Sequence, residues 1–501
     1  MYSEFFKNKI KFKVLPESKT KSLTLIVDKD DNIENSKGFL FSNQDLKNFL
    51  KNTYKYFKSH DKYLCYTPFG AFAYIKFKKN NFSFYNFYVE LRKIFNFLKT
   101  NKIEKFTIYL EDLLINNNLN LNKLAEVLAI NFLLADFDFS RIYKTPPKEG
   151  WNEIKEIEIM VNSRLLNEIK KSINKGIIIG EEINRARLLS NLPGGELTPS
   201  NFIEIIKESL KDIELKLTIL DENKLKKIGA GGILGVSRGS KEKPYLAILE
   251  NNRKGKEVHF IGKGITFDSG GLQIKPSDYM NEMHLDMSGA ASVLAASILI
   301  QRLNYSINFK TLIPLAENMP SGESYRPGDI LKTISGKTIE VGSTDAEGRI
   351  ILADAIDYSK KFFKPSLIFE LSTLTGASMI ALGNKASALF TNKKELQDFI
   401  LKISELSGDL LWPLPLWDIY KKDIESNFAD IFNIGKTKYG GAIHGAMFLW
   451  EFAKPLNFVH IDIAPKMVAS EEDGLNKGST GYGVNLIREF CENFDEIKEI
   501  I

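Results

Sequence analysis

Five short apolar runs, at 245–250, 258–262, 308–314, 366–371 and 458–463, alternate with helical patterns at 289–303, 348–362 and 445–452. This alternation constrains the fold more than any other feature of the chain. Short apolar runs without polar alternation are buried on both faces, and strands joined through helices run parallel. The expected architecture is α/β, a mainly parallel, partly mixed sheet flanked by helices. The stretch 330–341, with Ser335-Gly336-Lys337 at its centre, predicts a hairpin.

A smaller α/β domain is expected ahead of this sheet. Short β-rich runs at 22–28, 71–77 and 105–110 alternate with helical patterns at 85–98 and 121–134. Thr145-Pro146-Pro147-Lys148-Glu149-Gly150 interrupts any regular element, and apolar spacing from Ile154 to Ile173 predicts a connecting helix. The domain plan is a variable N-terminal domain at 1–150, a connecting helix at 151–175 and a catalytic domain at 176–501. A chain of 501 residues has room for two or more domains at roughly 150 residues each.

Apolar residues at 44% and charged residues at 26% exclude a disordered or collagen-like chain. The net charge of +5 does not by itself imply a nucleic-acid or membrane partner. Charge is uneven, however. Residues 1–150 hold 25 Lys and Arg against 16 Asp and Glu, with aromatics interleaved, as in Lys78-Lys79-Asn80-Asn81-Phe82-Ser83-Phe84-Tyr85. Nucleic-acid binding by this basic part is the competing class of function, and it requires those aromatics to be exposed. The bias otherwise reads as a solvated face. No apolar run approaches the roughly 18 residues of a spanning helix, and the start of the chain has no apolar signal core. Cys65 and Cys491 cannot build a disulfide framework. A cytoplasmic protein without a membrane partner is expected.

Several short motifs carry nothing. Gly235-Val236-Ser237-Arg238-Gly239 matches the nucleophile elbow, but a helical run precedes it and Pro244 blocks a following helix. Gly336-Lys337-Thr338 and Gly435-Lys436-Thr437 lack the phosphate loop's earlier glycine, and Gly229-Ala230-Gly231 lacks the third glycine of a dinucleotide fingerprint. All of these read as turns. His60, His259, His284, His444 and His460 are the only histidines, and none is followed by Glu. Any catalytic metal must therefore be held mainly by carboxylates, which also disfavours a two-metal phosphatase.

Two segments do carry chemistry. The first is Gly262-Lys263-Gly264-Ile265-Thr266-Phe267-Asp268-Ser269-Gly270-Gly271-Leu272-Gln273-Ile274-Lys275, continuing to Asp286; the second is Thr344-Asp345-Ala346-Glu347-Gly348-Arg349. Each follows an expected strand, where ligands of open α/β sheets gather. Asp268, Asp286, Asp345 and Glu347 suffice for two divalent cations if some bridge, and such a pair can activate a water and polarise a carbonyl. Asp345 and Glu347, two apart, can point the same way from an extended loop. A desolvated Lys263 can lose its proton and become a ligand. Lys275 and Arg349 remain to stabilise an oxyanion or hold an anion.

These segments resemble the leucyl aminopeptidase (cytosol aminopeptidase) family of dinuclear-metal exopeptidases. So do Asp286-Met287-Ser288-Gly289-Ala290-Ala291, Leu352-Ala353-Asp354-Ala355, Thr373-Leu374-Thr375-Gly376-Ala377 and His460-Ile461-Asp462-Ile463-Ala464. The likeness spans roughly residues 180–490 in consistent order. It implies that Lys263, Asp268, Asp286, Asp345 and Glu347 ligate two metal ions, zinc or manganese foremost and magnesium or cobalt as alternatives. Asp268 and Glu347 would bridge them. Lys275 would steady the tetrahedral intermediate, and Arg349 would anchor a bicarbonate acting as general base. Met283, Thr373, Leu374, Gly376, Ala464 and Met467 fall where the family binds the first side chain of its substrate, a peptide with a free N-terminus and an apolar first residue such as Leu or Met. A homohexamer is implied as well. The chain departs from the family pattern at Ser343, where Asn is usual, and at His284, His444, Pro465 and Lys466. None of these is an expected ligand, so the departures bear on substrate preference.

Overall fold

A computed structural model describes residues 3–20, 22–29, 31–77, 83–114 and 119–501. The Lys78–Phe82 part of the basic aromatic run therefore lies outside the described residues. The chain forms two compact units. The first comprises Met1–Asn184 with Glu471–Asn476, the second Arg185–Ser470 with Lys477–Ile501.

The first unit is built on six strands, β1 (Lys11–Pro16), β2 (Leu23–Lys29), β3 (Lys62–Thr67), β4 (Gly70–Phe77), β5 (Lys105–Tyr109) and β6 (Glu156–Val161). Their spatial order is β1-β6-β5-β2-β4-β3, parallel throughout except for the β3–β4 hairpin. Side chains alternate between the two faces. Leu25 and Val27 meet the helices Phe84–Thr100 and Leu121–Asp136, whereas Ile26 meets the helix Gln44–Phe57. Phe72, Tyr74, Phe87, Phe95, Phe106 and Phe132 are buried in these two cores, whereas Tyr56, Tyr63, Tyr66, Phe69 and Tyr143 are exposed.

The connecting helix expected over 151–175 is corrected by the structure. Residues Glu156–Val161 are strand β6, and the helix runs Leu166–Asn191. Glu156-Ile157-Glu158-Ile159 alternates with period two. Ile157 and Ile159 are buried, while Glu156 and Glu158 turn to Lys105. The division between the two units falls inside that helix, at Asn184–Arg185.

The second unit contains β7 (Lys216–Leu220), β8 (Tyr245–Glu250), β9 (Glu257–Gly262), β10 (Gly264–Asp268), β11 (Asn308–Asn318), β12 (Ile330–Lys332), β13 (Thr338–Glu340), β14 (Leu367–Ser372), β15 (Ser387–Thr391), β16 (Leu411–Pro413), β17 (Ile431–Phe432) and β18 (Asn457–Asp462). The main sheet runs β16-β15-β18-β14-β9-β11-β8-β7, with β10 beside β11. Strands β18, β14, β9 and β11 are mutually parallel; β8 pairs antiparallel with β11, β7 antiparallel with β8, and β15 antiparallel with β18. On one face Ile261, Leu312, Ile368 and Phe458 meet the helices Gly348–Phe362 and Gly441–Ala453. On the other, Phe260 and Phe369 meet Phe490 of the helix Val484–Glu492, and the helix Ser288–Arg302 packs along β9 and β14. The stretch Ser277–Arg302 is long and apolar enough to cross a membrane by length and composition, contrary to the sequence reading, but 89% of its apolar window is buried inside the protein. A separate small sheet joins the β12–β13 hairpin to β17. The parallel strands of the main sheet deliver Lys263, Asp268 and Thr373 at their carboxyl ends.

Ser237 ends a seven-residue helix, Gly231–Ser237, buried and with its hydroxyl donating to the Leu234 carbonyl at 3.1 Å. It is no nucleophile.

Candidate metal centre and active site

Lys263 follows β9 immediately and is buried. Its Nζ lies 2.8 and 2.9 Å from the two Asp286 oxygens and 2.9 Å from Glu347 Oε1, and donates to the Thr373 carbonyl at 3.1 Å. Room for this side chain exists because residue 348 is glycine: a Cβ there would stand 2.3 Å from Lys263 Cε. Asp268 ends β10. Its Oδ1 accepts from the Gly270 amide at 2.9 Å and from Asn318 Nδ2 at 2.8 Å, and its Oδ2 is 2.8 Å from Lys275. Gly270 and Gly271 both adopt positive φ, which turns the chain back so that Lys275 returns to Asp268. Asp286 leads into the helix Ser288–Arg302 and accepts from Thr373 Oγ1 at 2.7 Å.

Oxygens of Asp268, Asp286 and Glu347 lie within 4.8 Å of one another. Asp345 stands apart, its carboxylate 39% exposed and 2.6 Å from Lys275. The loop turns at Thr344–Asp345 rather than running extended, with the Asp345 amide donating to Ser343 Oγ at 3.2 Å. Asp345 and Glu347 therefore face different lysines. The shorter Ser343 is used locally, within its own turn.

Four carboxylates thus share a largely buried space with two ammonium groups. Burial and the Glu347 charge push the Asp268, Asp286 and Asp345 carboxyls above their ordinary range, Asp286 to about 6. For Glu347, burial pushes upward too, but Lys263 and Lys275 outweigh it and hold the group charged. Burial pulls both lysines down, and the carboxylates around them more than reverse it. Desolvation alone therefore does not free the Lys263 amine; cations among the carboxylates would do so. The donor set fits such cations. It is rich in carboxylate oxygen, it carries excess negative charge, and Glu347 Oε2 is buried without a hydrogen-bond partner among the described residues.

Arg349 lies in the first turn of the helix Gly348–Phe362. Burial lowers it to about 10. Its Nη1 donates to the Asn433 carbonyl at 2.8 Å, while Nε is buried without a hydrogen-bond partner among the described residues, a donor available to an anion.

The substrate-binding candidates lie at two neighbouring strand ends. Thr373, Leu374 and Gly376 follow β14; Ala464 and Met467 follow β18, in a turn packed against the helix Gly376–Leu382. Asp462 joins the two, accepting from the Leu374 amide at 3.0 Å, Thr375 Oγ1 at 2.6 Å and the Ala464 amide at 3.2 Å. A Cβ at Gly376 would meet open space. Met283 and His284 sit half-buried in the turn Met283–Leu285, two elements away in the chain but next to β10. His444 is buried, with Nε2 3.2 Å from Asp423, as a packing residue.

Residues without a sequence role complete the site. Asn318 Nδ2 also donates to the Thr344 carbonyl at 2.9 Å, as does the buried Tyr325 hydroxyl at 2.7 Å. Gln273 Oε1 accepts from the Thr344 amide at 2.7 Å, and its own amide donates to Thr344 Oγ1 at 3.0 Å. Gln273 and Asp462 lie inside motifs already singled out; Asn318 and Tyr325 carry no local signal.

Residues 184–488 match the model of the cytosol aminopeptidase family, catalytic domain. A probable cytosol aminopeptidase of Chlorobaculum tepidum is 40% identical over 382 residues, covering 74% of this chain and 76% of its own. Another, from Methylobacillus flagellatus, is 42% identical over 356 residues, 70% of each chain. Among solved structures, the bottromycin maturation enzyme BotP in complex with Mn superposes with a TM-score of 0.81 at 26% identity, covering 95% of this chain and all of that one.

Proposed function

This chain belongs to the cytosol aminopeptidase family and is a metal-dependent aminopeptidase, and from that premise we propose that it releases apolar N-terminal residues, Leu and Met foremost, from peptides. The observation that carries the reading is the buried cluster in which Asp268, Asp286 and Glu347 oxygens converge within 4.8 Å, with Asp345, Lys263 and Lys275 around them. Lys263, Asp268, Asp286, Asp345 and Glu347 would hold two divalent cations. Manganese or zinc suits the set, and the likeness to BotP, solved with Mn, supports the former. When bound, the cations supply the Lewis acidity that recognises a free α-amine and activates water and the scissile carbonyl.

The chain's own groups do the remainder. Lys275 directs its ammonium into the cluster, where it can neutralise the charge that develops on the carbonyl oxygen during attack. Arg349, whose Nε is buried without a hydrogen-bond partner among the described residues, would hold a bicarbonate, which would supply general-base chemistry beside the leaving amine. Thr373, Leu374, Gly376, Ala464, Met467 and Met283 would receive the first side chain, and methionine at two of these positions adapts to aliphatic groups of different shape. The reading includes a cytoplasmic setting, supported by two free cysteines, Cys65 and Cys491.

A panel of aminoacyl-anilides with the Mn²⁺-loaded protein tests this. Leu and Met should exceed Asp by at least about tenfold in kcat/KM, roughly 1.4 kcal/mol, because no cation of the pocket set pairs an acidic side chain. An N-acetylated substrate should be inert, its amine lone pair being lost to the amide. Equal rates for Leu and Asp would overturn the pocket assignment, and cleavage of the acetylated substrate the exopeptidase itself.

A further inference from the structure

The loop that carries Asp345 and Glu347 has no strand ladder to hold it. Its backbone groups must find partners elsewhere, and the structure shows where they go. Thr344 is held by Gln273, Asn318 and Tyr325. The groups on either side of it converge on a single side chain. Asn433 Oδ1 accepts from the Gly342 amide at 2.7 Å and the Ser343 amide at 3.1 Å, while Nδ2 donates to the Ser343 carbonyl at 2.7 Å and the Ala346 carbonyl at 3.3 Å. Both lone pairs and both protons of the amide are thereby used. Asn433 is fully buried and placed by β17, which runs parallel to β13, with its own amide donating to the Glu340 carbonyl at 3.1 Å. Its carbonyl accepts from Arg349 Nη1.

We propose that Asn433 is a positioning residue of the reaction: one side chain and its carbonyl fix the carboxylate-bearing loop and the guanidinium of Arg349 in a common frame. The inference rests on the dinuclear reading above. A satisfied buried asparagine is ordinary in a protein core; the groups this one satisfies are not, since they set where Asp345, Glu347 and Arg349 stand. Asn433→Asp keeps the acceptor, loses both donors, and sets a carboxylate against two carbonyls. Asn433→Ala removes all four bonds.

The test compares these two variants with the full-length wild type and with Asn251→Ala. Asn251 is likewise buried, donating to the Ile307 carbonyl at 2.8 Å and accepting from the Phe309 amide at 3.0 Å, but touches none of the site. Mn²⁺ binding is measured by equilibrium dialysis, kcat and KM on Leu-anilide at saturating Mn²⁺, and melting temperature alongside. Both Asn433 variants should lose about 10- to 100-fold in Mn²⁺ affinity, the usual effect of removing a support to metal ligands. At saturating Mn²⁺ they should remain low in kcat with KM little changed. Asn251→Ala should melt earlier yet keep its Mn²⁺ affinity and kcat. Wild-type Mn²⁺ affinity and kcat in Asn433→Asp would overturn the proposal, as would equal losses in Asn251→Ala. A wild type that takes up fewer than two Mn²⁺ would fail the dinuclear reading itself, and the inference with it.

Discussion

Lys275 is caught between Asp268 Oδ2 at 2.8 Å and Asp345 Oδ1 at 2.6 Å, so its charge already points to where oxygen anions collect. If it acts on an oxyanion absent from the bound substrate, Lys275→Ala should lower kcat by about 100- to 1,000-fold and leave KM within a few-fold. Steady-state kinetics on Leu-anilide decides it; a loss expressed mainly in KM would make Lys275 a substrate clamp. The charged members of this cluster were legible in the sequence because Lys263, Asp268, Lys275, Asp345 and Glu347 sit in glycine-bearing loops at strand ends, in runs typical of one family. Asn433, Asn318 and Tyr325 were not. Each lies outside those runs, and an amide or phenol has no meaning until the chain brings a loop to it. The direction of Asp345 was hidden for a related reason. Spacing describes an extended loop, whereas Ser343 closes a turn there.

At the scale of elements, the apolar runs of the second unit became β8, β9, β11, β14 and β18 because strands buried on both faces leave little ambiguity. Strand β6 was misread because Ile154, Ile157 and Ile173 fit helical spacing as well as Ile157 and Ile159 fit alternation, and neighbouring strands decided between them. One helix carries a charge with a measurable consequence. Asp354, buried in the middle of Gly348–Phe362, accepts from the amides of Ile233 at 2.9 Å and Ile334 at 3.0 Å, and so ties that helix to Gly231–Ser237 and to the β12–β13 turn. Burial pushes its carboxyl up to about 7, from 3.8, despite these donors. A folded-state value above the unfolded one means that the group's contribution to stability is complete below about pH 4 and is lost as pH rises through about 7. Against Asp354→Asn, which cannot ionise, the wild type should lose ground over that window and none above it. Each kcal/mol lost corresponds to a shift of about 1–2 °C in a unit of this size. Thermal melts of both proteins from pH 4.5 to 8.5 provide the comparison, and a gap independent of pH would show that Asp354 does not change its charge there.

For the whole molecule, the two units differ in what a cation can do for them. The second gathers its charged groups from the ends of β9 and β10, from the turn before Ser288–Arg302 and from the loop before Gly348–Phe362. Four carboxylates facing two lysines repel one another unless a cation joins them, and the unfolded chain, in which these segments are far apart, offers no such site. Divalent cations should therefore stabilise the folded second unit by mass action, about 2.7 kcal/mol when the free ion is at 100 times its dissociation constant. The first unit has no such cluster among its described residues; its Asp28 is satisfied by the Tyr54 and Tyr74 hydroxyls, each at 2.5 Å, and by the Asn32 amide at 2.8 Å. Hydrogen exchange of the full-length protein, with Mn²⁺ and after chelation, separates these responses. Chelation should raise deuterium uptake in β9, β10 and the helices Ser288–Arg302 and Gly348–Phe362, while β2, β4 and β5 keep their protection. Equal uptake in both sets of strands would mean that the metal stabilises the chain as one cooperative body, and the electrostatic argument, which is local to the carboxylate cluster, would then not account for it.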